Sequence, residues 1–227
     1  PMEAPSDSTK FYIPPSKLGT KDYWEKTYNA ELNNFEDHGD VGEIWFGEDI
    51  MLKIVSFISQ KSNKSTSSKI VDLGCGNGML LIELMREGFS DLTGYDYSES
   101  AIKLAVNIAS DQGFNINYKV ADLTCPDSLE QDIFDVCIDK GTFDAISLCP
   151  NQAEEKKNLY LRSVYKLMKN SGTFILTSCN WTQNELLEQL TDFRLVCTIP
   201  TPTFSFGGKT GSLVTMLVLQ KATCSSQ

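Results

Sequence analysis

Three glycines at alternate positions close an apolar stretch, Ile70-Val71-Asp72-Leu73-Gly74-Cys75-Gly76-Asn77-Gly78. Without a Cβ, glycine reaches positive φ and lets a ligand or another chain segment approach closely. Ile70, Val71 and Leu73 read as the end of a buried parallel strand, and residues 79–86 are apolar at helical spacing. The glycines therefore form a strand-to-helix turn, the place where open α/β sheets bind nucleotide-sized ligands. Two nucleotide chemistries fit poorly. A dinucleotide fingerprint puts its third glycine where Met79 stands, and a phosphate-binding loop needs Gly-Lys-Ser/Thr where the chain reads Gly78-Met79-Leu80.

Two acids follow. Asp96 ends Leu92-Thr93-Gly94-Tyr95, 24 residues after Asp72. An acid about 20 residues past a glycine loop accepts hydrogen bonds from ribose hydroxyls. Asp122 closes Tyr118-Lys119-Val120-Ala121. An acid here also serves as a helix cap, because Asp96 or Ser98 precedes the amphipathic run 101–109. The order of the three features, each at a successive strand end, favours a ligand site. The Asp-x-Gly-x-Gly-x-Gly pattern of 72–78 resembles motif I of the class I, seven-β-strand methyltransferases. That resemblance implies S-adenosylmethionine as cofactor and S-adenosylhomocysteine as product. It also implies that Asp122 addresses the adenine amino group, with Leu123 supplying the adjacent amide. A glycine turn in an ordinary α/β protein is the plainer alternative.

The segment Phe134-Asp135-Val136-Cys137-Ile138-Asp139-Lys140-Gly141-Thr142 carries a buried strand into a polar turn, bringing Asp139 and Lys140 to the sheet edge of Gly74. The Asn-Pro-Pro-Tyr motif of base and glutamine methyltransferases is absent. An Asp/Glu-x-x-aromatic motif is also unmatched, because Phe143 falls one position late. Methylating a lysine requires a neutral amine, although the reference ammonium titrates near about 10.4. Asp139 is the candidate catalytic carboxylate that would hold the ammonium; alternatively it pairs with Lys140 or caps the next turn. Trp24 and Tyr28, four apart, share a helix face, and Trp45-Phe46-Gly47 follows a glycine-containing turn. These aromatics line a site or simply pack the core.

Helices are expected at 21–35, 48–60, 79–87, 98–111, 153–168 and 182–191, and strands at 69–73, 91–95, 117–121, 133–138, 172–178, 193–199 and 212–220. The connection at 200–211, with two prolines and three glycines, reads as too irregular for a tight hairpin. Residues 1–16 are proline- and serine-rich and are expected to be disordered, and Pro1 reads as a truncated or processed start. Residues 17–227 then form one domain, with a helical cap over about 17–62.

The net charge of −10 argues against direct nucleic-acid binding and suits a basic protein substrate. Seven cysteines form no Cys-x-x-Cys pair and His38 is the only histidine, so no metal site is expected. Cysteines in apolar contexts such as Val136-Cys137-Ile138 suit a reducing compartment. No apolar run is long enough for a membrane helix, and the polar start does not read as a signal peptide. A soluble monomer is expected in the cytoplasm, with the nucleus as a second location.

A narrower resemblance rests on Ser16-Lys17-Leu18-Gly19-Thr20-Lys21 with Tyr23-Trp24, on Ile44-Trp45-Phe46-Gly47, and on 139–148. Thr177-Ser178-Cys179-Asn180-Trp181-Thr182 and Pro202-Thr203-Phe204-Ser205-Phe206-Gly207-Gly208 extend it. Together they resemble the lysine methyltransferases of translation elongation factor 1-alpha, the yeast Efm-type and animal methyltransferase-like enzymes. The fold this implies is α/β and Rossmann-like: a seven-stranded, mostly parallel sheet with an antiparallel final strand and helices on both faces. Trp24, Tyr28, Trp45, Gly74, Gly76, Gly78, Asp96, Tyr97, Asp122, Leu123 and Lys140 would contact the cofactor. Asn180, Trp181, Phe204 and Phe206 would shape a lysine channel. The resemblance leaves open another protein lysine or an N-terminal amine as acceptor, and a catalytically silent cofactor-binding scaffold.

Overall fold

The computed structural model describes residues 12–129, 134–206 and 209–222, with backbone only at 203–206 and 209–212. Seven strands form one sheet in the order β3-β2-β1-β4-β5-β9-β6. These are β1 (Ile70–Leu73), β2 (Leu92–Asp96), β3 (Asn117–Val120), β4 (Phe134–Lys140), β5 (Met168–Ser178), β6 (Phe193–Thr198) and β9 (Thr215–Lys221). The first five pair in parallel, whereas β9 runs antiparallel between β5 and β6. Parallel strands need crossover helices, and those helices cover both faces.

Alternation along each strand divides the core. Ile70, Val136, Ile138, Ile175 and Val218 pack toward α1 (Lys21–His38), α2 (Glu48–Ser56), α3 (Met79–Arg86) and α4 (Glu99–Asp111). Their neighbours Val71, Leu73, Cys137, Phe174, Leu176, Leu217 and Leu219 face α5 (Thr142–Ser147), α6 (Ala153–Leu167) and α7 (Gln183–Gln189). Local chemistry sets several helix ends. Gly39, in the left-handed region at φ 72°, ends α1 and donates its N–H to Phe35. Ser98 caps α4 by accepting from the Ala101 N–H, and Thr182 with Glu185 forms a capping box on α7.

The sequence map needs five corrections. A short helix, α5, replaces the polar turn expected after β4, and the Asp139 carboxylate caps it. Within the stretch where no tight hairpin was expected, β7 (Thr203–Phe206) pairs antiparallel with β8 (Lys209–Ser212). β5 begins at Met168, four residues before its expected start, and α2 passes into a π turn at Phe57–Lys61. Finally, Ile13 packs against the second core cluster and the Ser16 N–H donates to Leu148 O, so the described part of 12–16 is anchored. Residues 1–11 lie outside the described residues.

Candidate active site

A cavity of about 280 Å³ opens at the carboxyl edge of β1 to β5, beneath the segment that carries α1 and Trp45. Its floor is the glycine loop. Gly74, Gly76 and Gly78 take φ of 80°, 53° and 75°, which other residues adopt only with strain. A Cβ at Gly76 would lie 2.4 Å from Tyr28 Oη, and one at Gly74 would lie 2.1 Å from Thr142 Oγ1. Gly74 and Gly76 line the cavity while Gly78 does not; Gly78 instead starts α3 and leaves room for Tyr118, whose hydroxyl donates to Gly78 O.

The N-terminal aromatics close the cavity. Trp24 and Tyr28 stack at 5.9 Å and 25°, and Trp45 meets Trp24 edge-on at 4.9 Å. Trp24 Nε1 donates to Leu18 O at 2.7 Å, which fixes the ring. Two polar side chains fasten this segment to the sheet. Asn77 Nδ2 donates to the carbonyls of Val41 and Glu43, and Lys140 Nζ donates to Trp45 O at 3.2 Å. The aromatics thus belong both to the core and to the wall of the site.

Asp96 is buried at the end of β2 and accepts from the N–H groups of Gly76 (3.0 Å) and Ser98 (2.9 Å), one on each oxygen. Burial pushes its carboxyl up to about 6, opposed by those backbone hydrogen bonds. Each oxygen keeps a lone pair for a ribose hydroxyl. Asp122, at the exposed rim, accepts from Thr124 N and Oγ1, and Leu123 and Tyr97 complete this side of the wall. Asp72 lies below the loop. Burial raises it to about 7, Lys140 opposes that rise, and its Oδ1 is buried without a hydrogen-bond partner. Lys140 is in turn lowered by burial and held up by Asp72 and Asp139.

Asp139 does not reach the cavity. It is fully buried, and its oxygens accept from Thr142 N (2.8 Å), Phe143 N (2.9 Å) and Tyr160 Oη (2.5 Å). Burial raises it to about 7 despite these donors. Its role is therefore that of a cap, and the expected catalytic carboxylate is misplaced. Trp181, expected in the lysine channel, is buried in the second core cluster with Lys157 over its ring at 5.3 Å. Asn180 does line the cavity. The side chains of Phe204 and Phe206 lie outside the described residues.

The site also contains groups that the sequence reading passed over. Asn77 was visible as the one polar side chain within the glycine loop. Asp144, Cys149 and Lys156 line the cavity from α5, the turn after it and α6, and the signal of the first two was hidden with the unpredicted α5. Among the described residues no group of His, Cys, Asp or Glu is placed to hold a metal ion. No helix among them is long and apolar enough to cross a membrane.

This arrangement fits S-adenosylmethionine. Asp96 and Asp122 offer acceptors for hydroxyls and an amino group, and the Cβ-free floor allows close approach. Lys140 supplies a cation, and the unpartnered Asp72 Oδ1 is a buried acceptor beneath the loop.

Comparison with known proteins agrees with this reading. The methyltransferase-domain family matches residues 64–203. The chain is 52% identical over 209 residues to EEF1A lysine methyltransferase 2 of Danio rerio, covering 91% of this chain and 89% of that protein. The Homo sapiens protein of the same name is 46% identical, covering 91% and 88%. Protein-lysine N-methyltransferase EFM4 of Saccharomyces cerevisiae is 37% identical, covering 91% and 95%. Among solved structures, a SAM-dependent methyltransferase from Anabaena variabilis superposes with a TM-score of 0.64 at 17% identity, covering 93% of this chain and 98% of that one. At that identity it supports the fold. Identity of this extent over nearly the whole chain, with the matching methyltransferase domain, makes the chain an S-adenosylmethionine-dependent member of the methyltransferase family that includes EEF1A lysine methyltransferase 2 and Efm4.

Proposed function

We propose that this chain methylates a lysine ε-amine of translation elongation factor 1-alpha. The observation that carries this reading is the 52% identity to EEF1A lysine methyltransferase 2 across nearly the full length of both chains. Identity of that extent takes in the N-terminal closure and the β4–β5 side as well as the cofactor loop. When bound, S-adenosylmethionine supplies a methyl on a sulfonium, which an amine lone pair displaces to leave a neutral thioether.

The chain's own residues prepare that step. Asp96, Asp122 and the Leu123 amide bind the adenosine, and Lys140 neutralises the carboxylate of the methionine part. Trp24, Tyr28 and Trp45 exclude water over it, which strengthens every electrostatic contact inside. A lysine with the reference pKa is neutral in only about one molecule in a thousand at pH 7.4, equivalent to about 4 kcal/mol. Orientation and removal of that proton are therefore the main tasks left to the protein. The net charge of −10 favours encounter with a basic surface on the partner. We take residues 17–227 as one unit, monomeric and cytoplasmic, acting on protein rather than nucleic acid.

The test is incubation with labelled S-adenosylmethionine and purified elongation factor 1-alpha, followed by peptide mass spectrometry. Label on one lysine is expected. Label on an N-terminal amine or on a different protein in a whole lysate would replace this substrate, and no transfer to any protein would favour a silent cofactor-binding scaffold.

A further inference from the structure

The sheet order divides the cavity. The cofactor's adenosine belongs over β3, β2 and β1, so the acceptor amine must enter at the ends of β4 and β5. Among the described residues four carboxylates line the cavity: Asp96 and Asp122 on the adenosine side, Glu43 over the glycine loop, and Asp144 on α5. Asp144 is thus the single carboxylate, among the described residues, that lines the cavity beside β4 and β5. It is 5% exposed and held from behind. Ser178 Oγ donates to Oδ1 at 2.6 Å and Cys179 N donates to Oδ2 at 2.7 Å, both from the end of β5. No lysine or arginine among the described residues pairs with it. The Cys179 thiol and the Asn180 N–H are further, weaker donors to it.

From this geometry we propose that Asp144 receives the ammonium of the acceptor lysine and takes its proton. The assignment rests on the lysine-methylation reading above. The carboxylate accepts one proton from the ammonium, leaving a neutral amine. The freed lone pair forms the N–C bond as the methyl–sulfur bond breaks, and the electrons of that bond stay on sulfur. The proton then passes from Asp144 to solvent. Burial pushes the Asp144 carboxyl up, which makes it a better base than an exposed aspartate. The serine and the backbone amide fix its direction without neutralising its charge, and Asp144 lines the cavity whereas Asp139 does not.

The test needs no protein substrate. The probe is a cofactor analogue with a primary amine on carbon in place of the sulfonium methyl, compared with S-adenosylhomocysteine by calorimetry. Wild type is expected to prefer the amine analogue by about tenfold or more, the scale of a hydrogen bond to a charged group. Asp144→Asn should abolish that preference while S-adenosylhomocysteine affinity stays within about twofold, and Asp144→Glu should restore part of it. With protein substrate, Asp144→Asn should lower kcat/KM about 100-fold, in the range of a lost general base. No amine preference in wild type, an undiminished preference in Asp144→Asn, or parallel loss of both affinities overturns the assignment. An intact analogue result with unlabelled elongation factor would instead overturn the substrate and leave Asp144 in place.

Discussion

Gly76→Ala tests whether the glycine loop serves the aromatic closure as much as the cofactor. At φ 53° an alanine carries a left-handed backbone cost of about 1–2 kcal/mol. Its Cβ would also lie 2.4 Å from Tyr28 Oη and 3.1 Å from Cζ, and overpacking of this kind costs about 1–3 kcal/mol. Tyr28 has little room to yield, because it is 8% exposed and stacked on Trp24. The sum is about 2–5 kcal/mol, and a chain of this size loses about 2–4 °C in Tm per kcal/mol. Thermal unfolding should therefore show a Tm lower by roughly 4–20 °C, and the displaced ring should raise the S-adenosylhomocysteine Kd at least about tenfold. Tyr28→Phe in the same chain removes the atom at 2.4 Å and leaves the one at 3.1 Å, a gap that a few tenths of an ångström relieve. The double variant should regain about 1–3 kcal/mol and keep the backbone strain. The reasoning is refuted if Gly76→Ala matches wild type in both assays, or if Tyr28→Phe recovers nothing.

Three further outcomes follow from the same contacts. Asp96, at about 6, accepts ribose hydroxyls best when ionised, so cofactor affinity should be flat above pH 7 and weaken toward tenfold per unit below pH 6; Asp96→Asn should bind weakly with no such pH dependence, as calorimetry across pH 5–8 would show. Asp72 has a folded pKa of about 7 against an unfolded value near 3.9, so the folded state holds more protons between them. Its contribution to stability is full below about pH 4 and is lost as pH climbs to 7. Urea unfolding of Asp72→Asn should show a shallower fall over that window, by at most about 1.4 kcal/mol per pH unit. Asn77→Ala removes both bonds to the Val41 and Glu43 carbonyls; it should cost about 1–3 kcal/mol and speed hydrogen exchange across 40–47 ahead of the sheet.

How much of this was legible depended on how locally each signal is encoded. The run from Ile70 to Gly78 carries its own instructions: β-branched residues for the strand, glycines for the turn, and apolar spacing for α3. Asp96 and Asp122 were readable because strand ends recur at intervals set by the βαβ unit. The aromatic closure was only half visible. Trp24 and Tyr28 announce a shared helix face, but nothing local says that this face lies over Gly76, more than 40 positions away. The pairing of β7 with β8 was obscured by prolines and glycines that mark turns as readily as loops. Trp181 was misjudged because a tryptophan next to a site residue gives no sign of which way it points; Asn180 lines the cavity and Trp181 turns into the core.

The exchange of roles between Asp139 and Asp144 follows from one unpredicted helix. Both acids lie within the same short segment, and a polar turn there would have left Asp139 free at the sheet edge. Once Gly141 takes φ 93°, residues 142–147 wind into α5 and leave their first N–H groups without helical partners. Asp139 is the nearby acceptor that can satisfy them, so its chemistry is used within the fold. Asp144, in the helix itself, accepts from Ser178 and Cys179 at the end of β5 and lines the cavity. Two carboxylates of equal intrinsic chemistry thus divide into a cap and a candidate base according to which backbone amides each one meets.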